Sequence, residues 1–281
     1  MGCVKIPEMV ENPFGDDFLD ELSVVERFSM VRKMSEKIRV DKELLPEKIL
    51  LGIESPEEAA RLYGIAVGLW EGVFDERQFE KTLARIGRKP ANYSSEVKTL
   101  RDIRFAGIVL GDACWLSSRD RCNPLSNFTR VLGDFNDHCG TAILKPSADD
   151  VLAAMRGYQE KNAGHQFIPC SPESFECFLK VENEVITKCL AEKTPSIKKL
   201  HGLRRTSRRF LNLFLLKTLD APDMKLFNLY AYMRRINNDL GRSLDVCRVD
   251  NETGKPQNLV RVPDLTRKML TDFSQRVVWT V

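Results

Sequence analysis

The chain is poor in the groups on which catalysis draws. Three histidines in 281 residues leave few general bases. The motifs G-x-x-x-x-G-K-[ST], G-x-G-x-x-G and G-x-S-x-G are all missing. No phosphate loop, dinucleotide fold or nucleophile elbow is therefore expected, and the reading is of a protein that does not catalyse and carries no cofactor. The eight cysteines include no C-x-x-C pair, which fits reduced thiols better than a disulfide framework. His138 beside Cys139 has no second ligand pair at metal spacing, so no metal is expected. No run of about 18 apolar residues exists to span a membrane, and no charged start leads into an apolar signal segment. A cytoplasmic or otherwise intracellular location is the expectation. The opening MGCV offers Gly2 and Cys3 for acylation, but Ile6 stands where that pattern wants Ser or Thr, and an ordinary start is favoured.

Acidic residues are missing from one stretch as well. Between Lys193 and Leu219 there are eight basic side chains and no Asp or Glu, although the net charge of the chain is only +3. Residues 1–95 hold 14 basic and 18 acidic side chains, and residues 96–281 hold 29 and 22. An acidic N-terminal region, 1–92, therefore precedes a basic domain, 93–281. A run of cations without relief attracts a polyanion.

The local signals are those of helices. Ser55, Pro56 and Glu58 read as N-cap, first-turn proline and capping-box glutamate before EEAARLYGIAVGLWEGVF. Ser171 with Pro172, and Ser147 with Asp150, announce two more helices, and Ser95 is placed to cap EVKTLRDIRFAGIVL. Residues 246–262, VCRVDNETGKPQNLVRV, read as a β-hairpin near the C-terminus. The fold class expected is all-α with that small hairpin.

At 100° per residue, Lys198, His201, Arg205, Arg208 and Arg209 fall on one side of a helix. Leu200, Leu203, Phe210, Leu211 and Phe214 fall on the other. Arg204 lies at the border, and beyond residue 211 nearly every position is apolar. One helix thus serves a basic surface and a buried anchor. Like charges at i, i+4, such as His201 with Arg205 and Arg204 with Arg208, repel by roughly 0.2–0.5 kcal/mol each. Compensation has to come from carboxylates on adjacent helices or from a bound anion.

The sequence also echoes itself. VKTLRDIR (97–104) aligns with IKKLHGLR (197–204), and LGDFNDHC (132–139) aligns with LGRSLDVC (240–247). A duplicated helical unit, about 95–145 and 195–250, is expected. His201, Arg204, Arg208 and Arg209, followed by Leu240, Gly241 and Asp245, resemble the conserved histidine α-helical domain family, in which each of two repeats carries H-x-x-R-x-x-x-R-R and a later L-G-x-x-x-D. The resemblance implies two related helical bundles around a basic groove that binds inorganic polyphosphate. It covers 95–250 and departs in the first repeat, where Arg101 stands in place of the histidine and Ile108 and Val109 in place of the paired arginines.

The candidate polyanion-binding residues are Lys98, Arg101, Arg104, Lys198, Lys199, His201, Arg204, Arg205, Arg208 and Arg209, with Asp137 and Asp245 as structural partners that orient arginines. Two other readings stand beside this one. HGLRRT is similar to the H-x-x-R box of tyrosine recombinases, but no tyrosine follows Tyr232 and Arg242 occupies the place of the second catalytic histidine. That leaves DNA or RNA binding rather than strand transfer. A protein-interaction module is the third reading, with Asp16, Asp17, Asp20 and Glu21 of the acidic N-terminal region as its contact for a protein partner.

Overall fold

The structure, a computed structural model, describes residues 22–38, 40, 45–88, 94–118, 125–138, 146–162, 166–247 and 261–279. Among the described residues there are ten α-helices and one pair of short strands: α1 (Val24–Lys37), β1 (Ile49–Leu51), α2 (Pro56–Val73), α3 (Glu76–Arg88), α4 (Ser94–Ala113), α5 (Ser126–His138), α6 (Ala148–Asn162), α7 (Pro172–Leu190), α8 (Ile197–Asp220), α9 (Met224–Cys247), α10 (Asp264–Arg276) and β2 (Val277–Trp279). A 3-10 turn, Cys114–Leu116, continues α4. None of the described helices is long and apolar enough to cross a membrane. Gly2, Cys3, Cys139 and the acidic cluster Asp16–Glu21 lie outside the described residues.

The helix starts follow their caps. The hydroxyl of Ser171 accepts from Ser174 N at 3.3 Å. Ser147 and Asp150 exchange bonds, each backbone N–H donating to the other's side chain. At α2, Ser55 accepts from Glu58 N at 3.2 Å, but Glu58 does not close the expected box. Its carboxylate takes Glu54 N and, across the interface, Lys217 Nζ at 2.6 Å. The helix α4 begins at Ser94, one residue before the expected cap, and the carbonyl of Ser95 already accepts from the Thr99 hydroxyl inside it.

The strand expectation needs correction. Residues 246 and 247 are the last residues of α9 rather than a strand, and 248–260 lie outside the described residues. Ile236, Leu240 and Leu244 carry buried side chains at four-residue spacing to the end of α9, and that packing overrides the β preference of Val246. The sheet that exists is parallel and non-local, β1 with β2, in the register Ile49↔Val277, Leu50↔Val278, Leu51↔Trp279.

The long pair α8–α9 is the centre of the packing, and α2, α4 and α7 lie against α8 while α1 and α10 lie against α9. The two helices are joined by only three residues, 221–223, which makes them antiparallel neighbours. From Phe210 to Leu216 every residue of α8 is buried, as the apolar run predicts. Phe210 and Phe214 meet Phe273 of α10 with ring centroids 5.4 and 6.2 Å apart. One cluster of buried side chains runs from Val31 and Leu62 through Leu100 and Leu132 to Leu203, Phe227 and Leu270.

Leu200, fully buried, and Arg205, exposed, stand five residues apart on the same helix. Leu200→Ala should cost about 2–5 kcal/mol of unfolding free energy and Arg205→Ala within about 0.5 kcal/mol of nothing. Urea denaturation monitored by circular dichroism checks this, and equal losses would turn the basic face into an internal layer.

Candidate anion-binding face of α8

The helix α8 starts where Ser196 accepts from Lys199 N at 3.4 Å. Its first three turns carry Lys198, His201 and Arg205 exposed and Arg204 and Arg208 half-buried. Together with Gly202 these five side chains line a concavity of about 430 Å³. Among the described residues, no atom outside the local helix backbone lies within 4 Å of the place where a Cβ on Gly202 would stand, so the floor is open there. Among the described residues that line the concavity there is no carboxylate and no Phe, Tyr or Trp.

Three of the remaining cations of the run, Lys199, Arg209 and Lys217, pair with carboxylates, the last two inward. Lys199 pairs with Glu192, at the end of α7. Arg209 pairs with Glu182 of α7, and its guanidinium lies 4.4 Å from the centre of the Trp115 ring, which stacks on Phe178. Glu182 also accepts from Thr206 Oγ1 at 2.6 Å. Arg209 therefore leaves the outward row to which helical spacing assigned it, because a carboxylate and two rings cover that flank of α8. Burial pushes its pKa down from the ordinary arginine value, and Glu182, then Asp112, oppose the shift. Lys217 pairs with Glu58, and both side chains are largely buried.

Arg208 belongs to both regions. It lines the concavity, and its Nε donates to Asp112 Oδ2 at 3.1 Å and its Nη2 to Oδ1 at 3.4 Å. Asp112 sits near the end of α4 with only 4% of its side chain exposed. Asn212 Nδ2 donates to the same carboxylate at 2.8 Å.

The other expected site residues, Lys98, Arg101 and Arg104, are not brought to the α8 concavity. Lys98 lines a separate groove of about 420 Å³ with Val25, Phe28 and Arg32 of α1, where Arg32 pairs with Asp102 at 2.9 Å. Arg101 is exposed on α4. Arg104 lies over Gly133 of α5, where a Cβ would collide with its guanidinium, and its Nε donates to Thr129 O at 3.1 Å. Arg204 lies in the same way over Gly241 of α9, with Nη2 2.9 Å from the place of a Cβ. Asp137 and Asp245 are exposed, one turn beyond those glycines and on the same side of their helices. His138, also exposed, has Nδ1 2.6 Å from Asp134 O. Among the described residues, no group of three His, Cys, Asp or Glu is placed to hold a metal ion.

The acidic partners Asp112, Glu182 and Glu58 were not among the expected site residues. Asp112 left a signal, being the one charge in the apolar run FAGIVLGDACWL. A lone carboxylate in such a run asks for a buried cation. Glu182 left one too, since at 100° per residue it falls among Phe175, Phe178, Leu179 and Ile186, opposite Glu173 and Glu184.

Comparison of the chain with protein-family models, with curated proteins and with solved structures returned no match.

Removing one partner of the Arg209–Glu182 pair strands a buried charge, whereas removing both does not. Glu182→Ala should cost about 3–5 kcal/mol, and Glu182→Leu combined with Arg209→Met clearly less. Chemical denaturation of the two variants decides it, and a double variant as unstable as the single would deny the pair its role.

Proposed function

We propose that this protein binds a linear polyanion of condensed phosphate through the first three turns of α8, without catalysing a reaction. The observation that carries the reading is the concavity lined by Lys198, His201, Arg204, Arg205 and Arg208, with no carboxylate among its described lining. Every other cation between Lys193 and Leu219 that the structure gives a carboxylate partner, namely Lys199, Arg209 and Lys217, turns away from it. Arginine presents a planar fork to phosphate oxygens, and lysine a point charge. From Lys198 to Arg208 the row runs about 15 Å along the helix, at about 1.5 Å per residue. A single phosphate reaches two or three of these groups, while a chain reaches all five.

The lining favours inorganic polyphosphate over single-stranded nucleic acid. Proteins that hold single strands add aromatic platforms on which bases stack, and no Phe, Tyr or Trp lines this concavity among the described residues. The same reading makes the chain a diverged relative of the conserved histidine α-helical domain family. In it, α4–α5 and α8–α9 are two copies of one unit, each with an arginine lying over a helix glycine, Arg104 on Gly133 and Arg204 on Gly241. On this reading the second copy keeps the anion face, and the first has Ile108, half-buried, and Val109, buried in the core, at the corresponding positions.

Affinity should rise with polyphosphate length until the row is spanned and should fall steeply with salt. Each cation that meets a phosphate contributes roughly 0.7–0.9 to the slope of log K against log[salt], so Arg205→Ala should reduce it by about one unit. Lys199→Ala, on the flank that Glu192 neutralises, should leave it nearly unchanged. Fluorescence anisotropy with labelled polyphosphate, in competition with duplex DNA and single-stranded RNA, is the test. Length-independent binding, or equal effects of the two substitutions, would overturn the proposal, and preference for RNA would replace polyphosphate with nucleic acid.

A further inference from the structure

The buried carboxylate of Asp112 lies behind the concavity rather than in it. It is not among the residues that line the anion face, and it contributes instead to a small interior space of about 20 Å³ bordered by Ala113, Trp115, Leu116, Arg209 and Asn212. Three donated bonds converge on it, two from one edge of the Arg208 guanidinium and one from Asn212 Nδ2. The opposite edge, Nη1, has no partner among the described residues.

We infer that Asp112 is a positioning residue for the anion site, holding Arg208 side-on so that Nη1 stays available to a phosphate oxygen. The inference rests on the reading of the α8 face as a polyanion site. A long exposed arginine loses rotamer freedom when it binds, and that loss is subtracted from affinity. At Arg208 the loss is taken during folding, by a carboxylate that approaches from α4 and is itself fixed by Asn212, one turn along α8 from Arg208. Asp112 thus makes a fixed donor out of one member of the row, while Lys198 and Arg205 remain exposed side chains. It also links the two proposed units, since Asp112 belongs to α4 and Arg208 to α8.

The inference makes a prediction opposite in sign to simple electrostatics. Asp112→Asn removes a negative charge close to the anion face and by charge alone should tighten binding. If Asp112 positions Arg208, the same substitution weakens binding of inorganic polyphosphate by roughly two- to tenfold, the affinity equivalent of immobilising one long side chain afresh. In an Arg208→Ala background it should weaken nothing further. Arg208→Lys, which keeps the charge and loses the two-point grip, should behave like Asp112→Asn. The spectroscopic companion is the ¹⁵N-edited signal of the Arg208 Nε proton, identified by its loss in Arg208→Ala. It should exchange slowly in the parent and faster in Asp112→Asn, with or without ligand. Melting temperature under the same conditions verifies that each variant is folded. A parent that binds polyphosphate while Asp112→Asn binds as well or more tightly overturns this inference alone, as does an Arg208 Nε proton whose exchange Asp112→Asn does not change. A parent that binds no polyphosphate, whatever the Arg208 signal does, overturns the anion-site reading and this inference with it.

Discussion

Eight cations on one stretch without a carboxylate repel one another, and in this fold other helices bring the missing charges to α8. Glu58 arrives from α2, Asp112 from α4 and Glu182 from α7, and each takes one cation: Lys217, Arg208 and Arg209. The three carboxylates stand on different sides of α8, so pairing them fixes the rotation of the helix about its axis as well as its depth. Buried pairs of this kind add little net stability over apolar replacements. Their effect here is to decide which cations are consumed by the fold and which remain at the surface.

That division produces the candidate site. Lys198, His201 and Arg205 precede the point at which α8 enters the core, and no ion pair with a carboxylate is recorded for Lys198 or Arg205 among the described residues. Arg208 stands at the transition and is held from behind. Further along, burial is complete from Phe210 to Leu216, and the only cation left on the helix, Lys217, is paired with Glu58. The helix is therefore anchored at one end and charged at the other. Arginines elsewhere serve helix ends: Arg27 donates to Leu219 O at the end of α8, and Arg267 donates to the carbonyls of Glu192 and Lys193 beyond α7. Cations near a helix C-terminus meet the unsatisfied carbonyls and the negative end of the dipole.

Much of this was legible in the residues because it is local. The caps at Ser55, Ser147 and Ser171 and the two-faced character of α8 follow from spacing alone, and the helices stand where those signals put them. What was not legible depends on partners distant in the chain. The strands ILL and VVW are three residues each and pair across almost the whole sequence, so neither carries a hairpin turn to announce it. The strand reading at 246–247 failed because the β preference of Val246 is weaker than the burial of Leu240 and Leu244. Arg209 shows the same limit at the site. Helical periodicity places it within the outward row, and only the position of α7, with Glu182 and Phe178, turns it into an internal residue.

The most direct measurement is a titration of the isotope-labelled protein with inorganic polyphosphate, following the side-chain resonances of lysine, arginine and histidine. The account expects shifts concentrated on Lys198, His201, Arg204, Arg205 and Arg208, with Lys199, Arg209 and Lys217 nearly silent. Shifts centred instead on the groove of Arg32 and Lys98, or spread evenly over the surface cations, would contradict it.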